Sequence, residues 1–207
     1  MIRPPGFLGA AFGTAMDGDG RDDSSARVAI SSELGIPSEW ASLRQVHGAG
    51  VIEATAPGRL ADADAVFSSI PLLPMTVATA DCYPVVLEAE GATGIAHAGW
   101  RGADAGVVPA LREAMEARGF SVQRAAIGPG IGTCCFEVGP EVVERFPELA
   151  GTTSWGTPSV DLVGAILSQV EGLAVWCADV CTHCEAGYRS YRRDGTPLRQ
   201  VGVAWVA

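Results

Sequence analysis

Between Ala41 and Ala98 the chain alternates short apolar runs with turn residues, and that pattern commits it to a sheet-based core. The runs are Ser42 to Val46, Val51 to Ala54, Ala65 to Phe67, Met75 to Thr79, Val85 to Ala89 and Gly94 to Ala98. Glu90-Gly91-Ala92 predicts a hairpin, and pairing about Gly91 sets His97 opposite Val85. Cys82 then lies at the same end of the sheet, about 10 Å along the strand, closer if Pro84 turns the chain back. His47 closes another run just before Gly48, again at a strand end.

Around this body the spacing predicts helices. One covers Ser24 to Leu34, capped by Ser24 or Ser25 and stopped at Gly35. A second covers Ala103 to Arg118, with Val107, Val108, Leu111 and Met115 on one face; Pro109 is tolerable there only in the first turn or as a kink. A third starts at Pro140, and a fourth is capped by Asp161, with Leu162, Val163, Ile166, Leu167 and Val170 as its apolar stripe. Further strands are expected at Ala125 to Ile127, Leu173 to Ala178 and Val201 to Val206, while residues 7–24 read as an irregular opening segment. The mixture is an α+β or layered α/β fold.

At 207 residues, 48% hydrophobic and 18% charged, with no repeat or linker, the chain reads as a single domain over 1–207. A net charge of -10 argues against nucleic-acid binding, which needs a basic excess, and favours a small-molecule substrate. Met1 to Gly6 opens no apolar signal core, and no run approaches the roughly eighteen apolar residues of a membrane span. The expectations are a cytoplasmic protein, no membrane partner, and a monomer as the simplest state, which nothing in the sequence fixes. Six cysteines are too few for a disulfide scaffold, so metal binding, catalysis or packing should account for them.

The chain has only three histidines, and two of them, His47 and His97, sit in Gly-flanked turns with Cys82 between them. Imidazole and thiolate are zinc ligands, and three protein ligands leave a fourth position open for water or substrate. Each residue alone reads more simply as structural, and no short ligand motif links them; the site reading rests on the three together. Gly99-Trp100-Arg101-Gly102 leads into a helix, so Arg101 and the free amides suit an anion, against the bland reading of a solvated arginine. Arg44 is a second candidate anion ligand. The loop Gly128-Pro129-Gly130-Ile131-Gly132 resembles a phosphate cradle but lacks the Lys-Ser/Thr ending and the G-x-G-x-x-G spacing, so Gly128 and Gly130 are expected to wall a substrate. Cys181-Thr182-His183-Cys184, with Cys177 upstream, invites a second zinc site, but there is only one C-x-x-C and Cys134-Cys135 has no ligand spacing, so a structural zinc would need long-range assembly; packing or a weak redox pair is the expectation there. Tyr191 to Gly195 reads as an exposed basic turn, with Tyr191 or Arg192 at a pocket mouth.

Gln45-Val46-His47-Gly48, Asp62 to Ser68, Thr79 to Pro84, His97 to Gly102, Gly128 to Gly139 and Cys181 to Gly195 together resemble, in order, the blocks of the laccase-domain or "polyphenol oxidase" family, also called peptidoglycan editing factor. Its members include zinc-dependent purine nucleoside phosphorylases. The resemblance implies a mixed β-sheet sandwich with flanking helices, of the cysteine-hydrolase type shared with the catalytic domain of cytotoxic necrotizing factor. It also implies His47, Cys82 and His97 as metal ligands. The chain departs from the family at Phe12 to Met16, where Arg-Gly-Gly-x-Ser is usual, and at Gly130, His183 and Arg189.

The activity so implied is phosphorolysis of adenosine, inosine, guanosine or methylthioadenosine, with adenosine deamination in the same pocket. Its partners are a nucleoside and phosphate. Cys82, His97 and His47 form the catalytic set, and with no H-x-E pairing the acid/base role falls to Asp81. The alternative is a cysteine hydrolase editing peptidoglycan precursors, with Cys82 as nucleophile and His97 as base. A third reading, a copper polyphenol oxidoreductase with Met75 as an axial ligand, fails as a multicopper enzyme because three histidines cannot hold the cluster; copper binding is expected to be adventitious.

Overall fold

The computed structural model describes all residues, 1–207. In chain order it contains β1 (Ala10–Phe12), α1 (Ser24–Leu34), β2 (Ala41–Arg44), β3 (Val51–Glu53), β4 (Gly58–Asp62), β5 (Ala65–Ser68), β6 (Met75–Thr79), β7 (Tyr83–Ala89) and β8 (Ala92–Ala98). Then follow α2 (Trp100–Asp104), α3 (Val107–Ala117), β9 (Val122–Ile127), α4 (Pro140–Val143), β10 (Ala150–Thr152), β11 (Pro158–Val160), α5 (Leu162–Gln169), β12 (Ala174–Cys177), α6 (Tyr191–Asp194) and β13 (Gln200–Ala204). Two mixed sheets, ordered β1-β13-β6-β2-β4 and β12-β9-β7-β8-β5-β3, carry the fold, and β10-β11 forms a separate hairpin.

The burial pattern explains the stacking. Every residue of β5, β6, β8 and β13 is buried, as expected of strands covered on both faces, which read as continuous apolar runs. Side chains alternate along β7: Val85 and Leu87 pack with Leu111 and Met115 of α3, while Val86 joins Phe12, Met75 and Val77 in the layer between the sheets. The outer face of the five-stranded sheet is closed by Ile30 and Leu34 of α1 over Val201 and Val203. The resulting order is helix, sheet, sheet, helix, a mixed α+β sandwich.

The helix expected over 103–118 is two. Gly106, at φ +77°, breaks the chain between α2 and α3, and the break puts Pro109 in the first turn of α3, where its missing N–H costs nothing. α1 is capped by Asp23, which accepts from the Ser25 and Ala26 N–H groups, and not by Ser24 or Ser25; Gly35 closes it in the left-handed conformation as expected. β1, β4, β10 and β11 were not expected. The β7–β8 hairpin differs by one residue: Ala89 pairs with Ala92 across a two-residue Glu90-Gly91 turn, so His97 lies opposite Pro84 and Val85 opposite Ala96.

Gly128 and Gly130 serve packing. A Cβ on Gly128 would lie 2.5 Å from the Phe12 ring and one on Gly130 2.4 Å from the Tyr83 ring. Gly130→Ala is therefore expected to lower unfolding stability by about 1–3 kcal/mol through overpacking, read as a lower denaturant midpoint; an unchanged midpoint would show that the ring shifts freely.

Candidate active site and metal centre

The site lies at one end of the layer between the sheets. His97 shares the face of β8 that carries Ile95, and Cys82 continues the face of β7 that carries Val86. Gln45 brings in the third group. Its amide bonds the Ala78 backbone in both directions at 2.9 Å, extending the pairing to β6 after the β2–β6 ladder stops at Ser42 and Thr76. The chain then turns at His47, φ +61°.

That turn closes on one carboxylate. Asp64, fully buried, accepts from the backbone N–H groups of Val46 at 3.2 Å, His47 at 3.0 Å and Gly48 at 2.7 Å. The same carboxylate lies 2.8 Å from His97 Nδ1, and the His97 N–H donates to the Asp64 carbonyl at 2.7 Å. An ionised Asp64 can only accept, so His97 carries its proton on Nδ1 and leaves Nε2 free for a ligand. A carboxylate behind a histidine in this way is the usual support of a metal ligand. Burial raises the Asp64 pKa, but His97 and the loop amides outweigh it and hold the carboxyl below its ordinary value.

The donor atoms of His47, Cys82 and His97 all lie within 4.8 Å of one another, with the two imidazole rings edge to face at 4.8 Å. Gly99 leaves room for them, because a Cβ there would fall 2.8 Å from Cys82 Sγ. Burial pushes the Cys82 thiol up, yet the charge of His97 and hydrogen bonds from both histidines bring it down to about 6. Burial likewise disfavours a charged His97, but the Cys82 thiolate and Asp64 raise it to about 9. Without metal, the pair is thiolate and imidazolium at neutral pH. Alkylation of Cys82 in metal-stripped protein should therefore fall away only as pH drops through about 6, and His97→Ala should move that midpoint upward; a midpoint at the ordinary thiol value would contradict the pairing.

These residues open into a cavity of about 510 Å³. Arg44 and Arg101 line it as expected, and so do Arg21, Arg59, Arg192 and Arg199, which sequence reasoning did not assign to an anion. Arg101 lies 4.2 Å above the Trp100 ring, and neither it nor Arg59 has a carboxylate partner. Arg44 is held by Asp62 through both carboxylate oxygens. Ile131, Phe136, Trp100 and Tyr191 supply apolar and aromatic wall.

Gly128, Gly130 and Asp81 have structural partners of their own. Gly128 and Gly130 stand outside the cavity wall, and their N–H groups donate to the Pro84 and Val180 carbonyls at 2.8 and 3.4 Å, so neither amide is free for phosphate. Asp81 reaches the wall, at φ +86°, but one carboxylate oxygen accepts from Thr182 Oγ1 at 2.8 Å and the other from the Arg192 N–H at 2.7 Å. It anchors the C-terminal segment beside Cys82. The carboxylate that bonds a residue of the donor set directly is Asp64, whose only signal in the sequence was its place in the Asp62 to Ser68 block.

Fold and site together define a two-sheet α+β protein with a His-Cys-His donor set on an arginine-lined cavity. Residues 8–207 match the family described as multi-copper polyphenol oxidoreductase laccase, and the chain belongs to it. It is 37% identical over 214 residues to a purine nucleoside phosphorylase of Streptomyces coelicolor, covering 96% of this chain and 87% of that one. A purine nucleoside phosphorylase of Deinococcus radiodurans is 36% identical over 200 residues, 90% of this chain and 77% of the relative. YlmD from Geobacillus stearothermophilus superposes with a TM-score of 0.85 at 26% identity, covering 100% of this chain and 98% of that chain.

Proposed function

We propose that the chain is a zinc-dependent purine nucleoside phosphorylase acting on adenosine, inosine, guanosine and methylthioadenosine, with adenosine deamination at the same site. One observation carries the reading: six of the fourteen basic residues of a chain with net charge -10 line the cavity beside the His-Cys-His set. Cations gathered against the overall charge suit an anionic co-substrate, and the names of the relatives support phosphate and a nucleoside in that place.

The donor set fits zinc: two imidazoles and a thiolate within reach of one ion, one imidazole oriented by a carboxylate, and space left by Gly99. A zinc held there would act as a Lewis acid and lower the pKa of water toward neutrality. Arg101 and Arg59, which have no carboxylate partner, position phosphate, with Arg44 beside them held by Asp62, while Tyr191 and the Trp100 face away from Arg101 serve the purine. In phosphorolysis a phosphate oxygen bonds C1′ as the C1′–N9 bond breaks, and the freed purine takes up a proton; in deamination water replaces the C6 amine, which leaves as ammonia. The set does not fit several coppers, because His183, the third histidine, stands over Trp155 in the Cys181–Cys184 segment.

The cytoplasm is the proposed location, and no helix is long and apolar enough to cross a membrane. A second reading, cysteine hydrolysis on peptidoglycan precursors, draws on the Cys82–His97 thiolate–imidazolium pair, which is also what a Cys-His nucleophile needs. Chelation separates the two. Metal-stripped protein should lose inosine phosphorolysis and regain it with zinc, whereas full turnover with His47, Cys82 and His97 free of metal would overturn the assignment.

A further inference from the structure

Four cysteines from two distant parts of the chain converge outside this cavity. Cys134 and Cys135 follow the Gly128–Gly132 loop, and Cys181 and Cys184 form the C-x-x-C near the C-terminus. All four sulfurs lie within 4.8 Å of one another, with Cys184 Sγ 3.7 Å from Cys134 Sγ and 3.4 Å from Cys135 Sγ. A tetrahedral zinc–thiolate site with Zn–S of about 2.3 Å has sulfur–sulfur edges of about 3.8 Å. The cysteines are free, and their separations match that tetrahedron far better than the roughly 2.0 Å of a disulfide.

One backbone amide and one arginine shape the surroundings. The Gly132 N–H donates to Cys181 Sγ at 3.2 Å, and a Cβ on Gly132 would press within 3.3 Å of Cys181 Cβ and 3.4 Å of Cys134 Sγ. The Arg193 guanidinium, paired with Asp194, donates to the carbonyls of Thr182, His183, Glu185 and Tyr188, so one side chain fixes the turn that presents Cys181 and Cys184. Cys177 stands outside the cluster.

We propose that Cys134, Cys135, Cys181 and Cys184 form a second, structural zinc site with all four coordination positions filled by sulfur. It is independent of the nucleoside reading, since a closed tetrathiolate has no position for substrate. Its place in the fold gives it a purpose. Gly130 pairs with Cys181, the Thr182 N–H donates to the Gly130 carbonyl at 2.9 Å, and Thr182 Oγ1 holds Asp81 next to Cys82. The clip therefore fixes the loop that brings Ile131 and Phe136 to the cavity against the segment that brings Tyr191 and Arg192.

The test uses full-length protein made with zinc supplied. A His47→Ala/Cys82→Ala variant, with the cavity site disabled, should keep about one equivalent of zinc, and X-ray absorption should show only sulfur neighbours at about 2.3 Å. Cys181→Ser/Cys184→Ser should lose one equivalent relative to the unaltered chain, and Cys177→Ser none. Should the double serine variant not fold, thiol titration of the unaltered protein decides: the four thiols should be shielded from a maleimide until chelator is added. Zinc absent from the His47→Ala/Cys82→Ala protein, four thiols reactive without chelator, or a Cys135–Cys184 disulfide in the peptide map would each overturn the site.

Discussion

His97→Ala is expected to lower inosine phosphorolysis by more than about a hundredfold and to release the metal from the cavity site. Residues that merely support a metal ligand are worth about 10–100-fold in affinity or activity, and His97 combines the roles of ligand and anchor. Its Nε2 is the donor held toward Cys82, and its Nδ1 makes a 2.8 Å bond to Asp64. Removing the ring leaves two donors, His47 and Cys82, of which His47 is the exposed one, and returns the Cys82 thiol toward its ordinary pKa. Metal content and turnover should fall together. Normal turnover by the variant would remove the site from the chemistry.

Asp64→Asn is expected to weaken zinc binding by about 10–100-fold, with kcat/KM falling in step. The carboxylate accepts from Val46, His47, Gly48 and His97, four donors for two oxygens. An amide keeps the shape but offers one acceptor atom and turns an NH2 group toward N–H donors, leaving buried groups unpaired at about 1–3 kcal/mol each. The loop that holds His47 in the left-handed conformation loosens, and His97 loses the partner that sets its tautomer. A titration with a zinc-competing chelator reads the effect; unchanged affinity would mean that the 46–48 turn holds itself.

Much of the candidate metal site was legible because histidine is scarce here and because strand ends collect in space. His47, Cys82 and His97 were found that way, and their placement at one sheet end survived a one-residue error in hairpin register, since Cys82 and His97 still follow faces that point between the sheets. Asp64 was harder to find because its partners are main-chain N–H groups 16 to 18 residues earlier, which no side-chain pattern announces. Arg44 and Arg101 were named from the sequence and Arg192 was set at a pocket mouth, but Arg21, Arg59 and Arg199 were hidden for a similar reason: they come from separate segments, and the overall charge pointed the other way. Of the cysteine cluster only the Cys181–Cys184 C-x-x-C had a local spacing, and long-range pairing between Gly130 and Cys181 brings Cys134 and Cys135 to it.

Among the elements, β4 was missed because it is an edge strand whose Gly58, Arg59, Ala61 and Asp62 face solvent, so no apolar alternation marks it. The division of α2 from α3 followed from backbone conformation at Gly106, which hydrophobic periodicity does not encode. The substrate wall expected at Gly128 and Gly130 falls instead to Ile131 of the same loop, because small residues permit two kinds of close approach. Here the approaching groups are the Phe12 and Tyr83 rings, not a ligand.

The most direct test of the central claim is a product analysis of zinc-replete protein given inosine with and without inorganic phosphate. Hypoxanthine and ribose 1-phosphate are expected in equal amounts, formed only when phosphate is present and lost in His97→Ala. Inosine left intact by the zinc-replete protein, or hypoxanthine released with free ribose in the absence of phosphate, would contradict it.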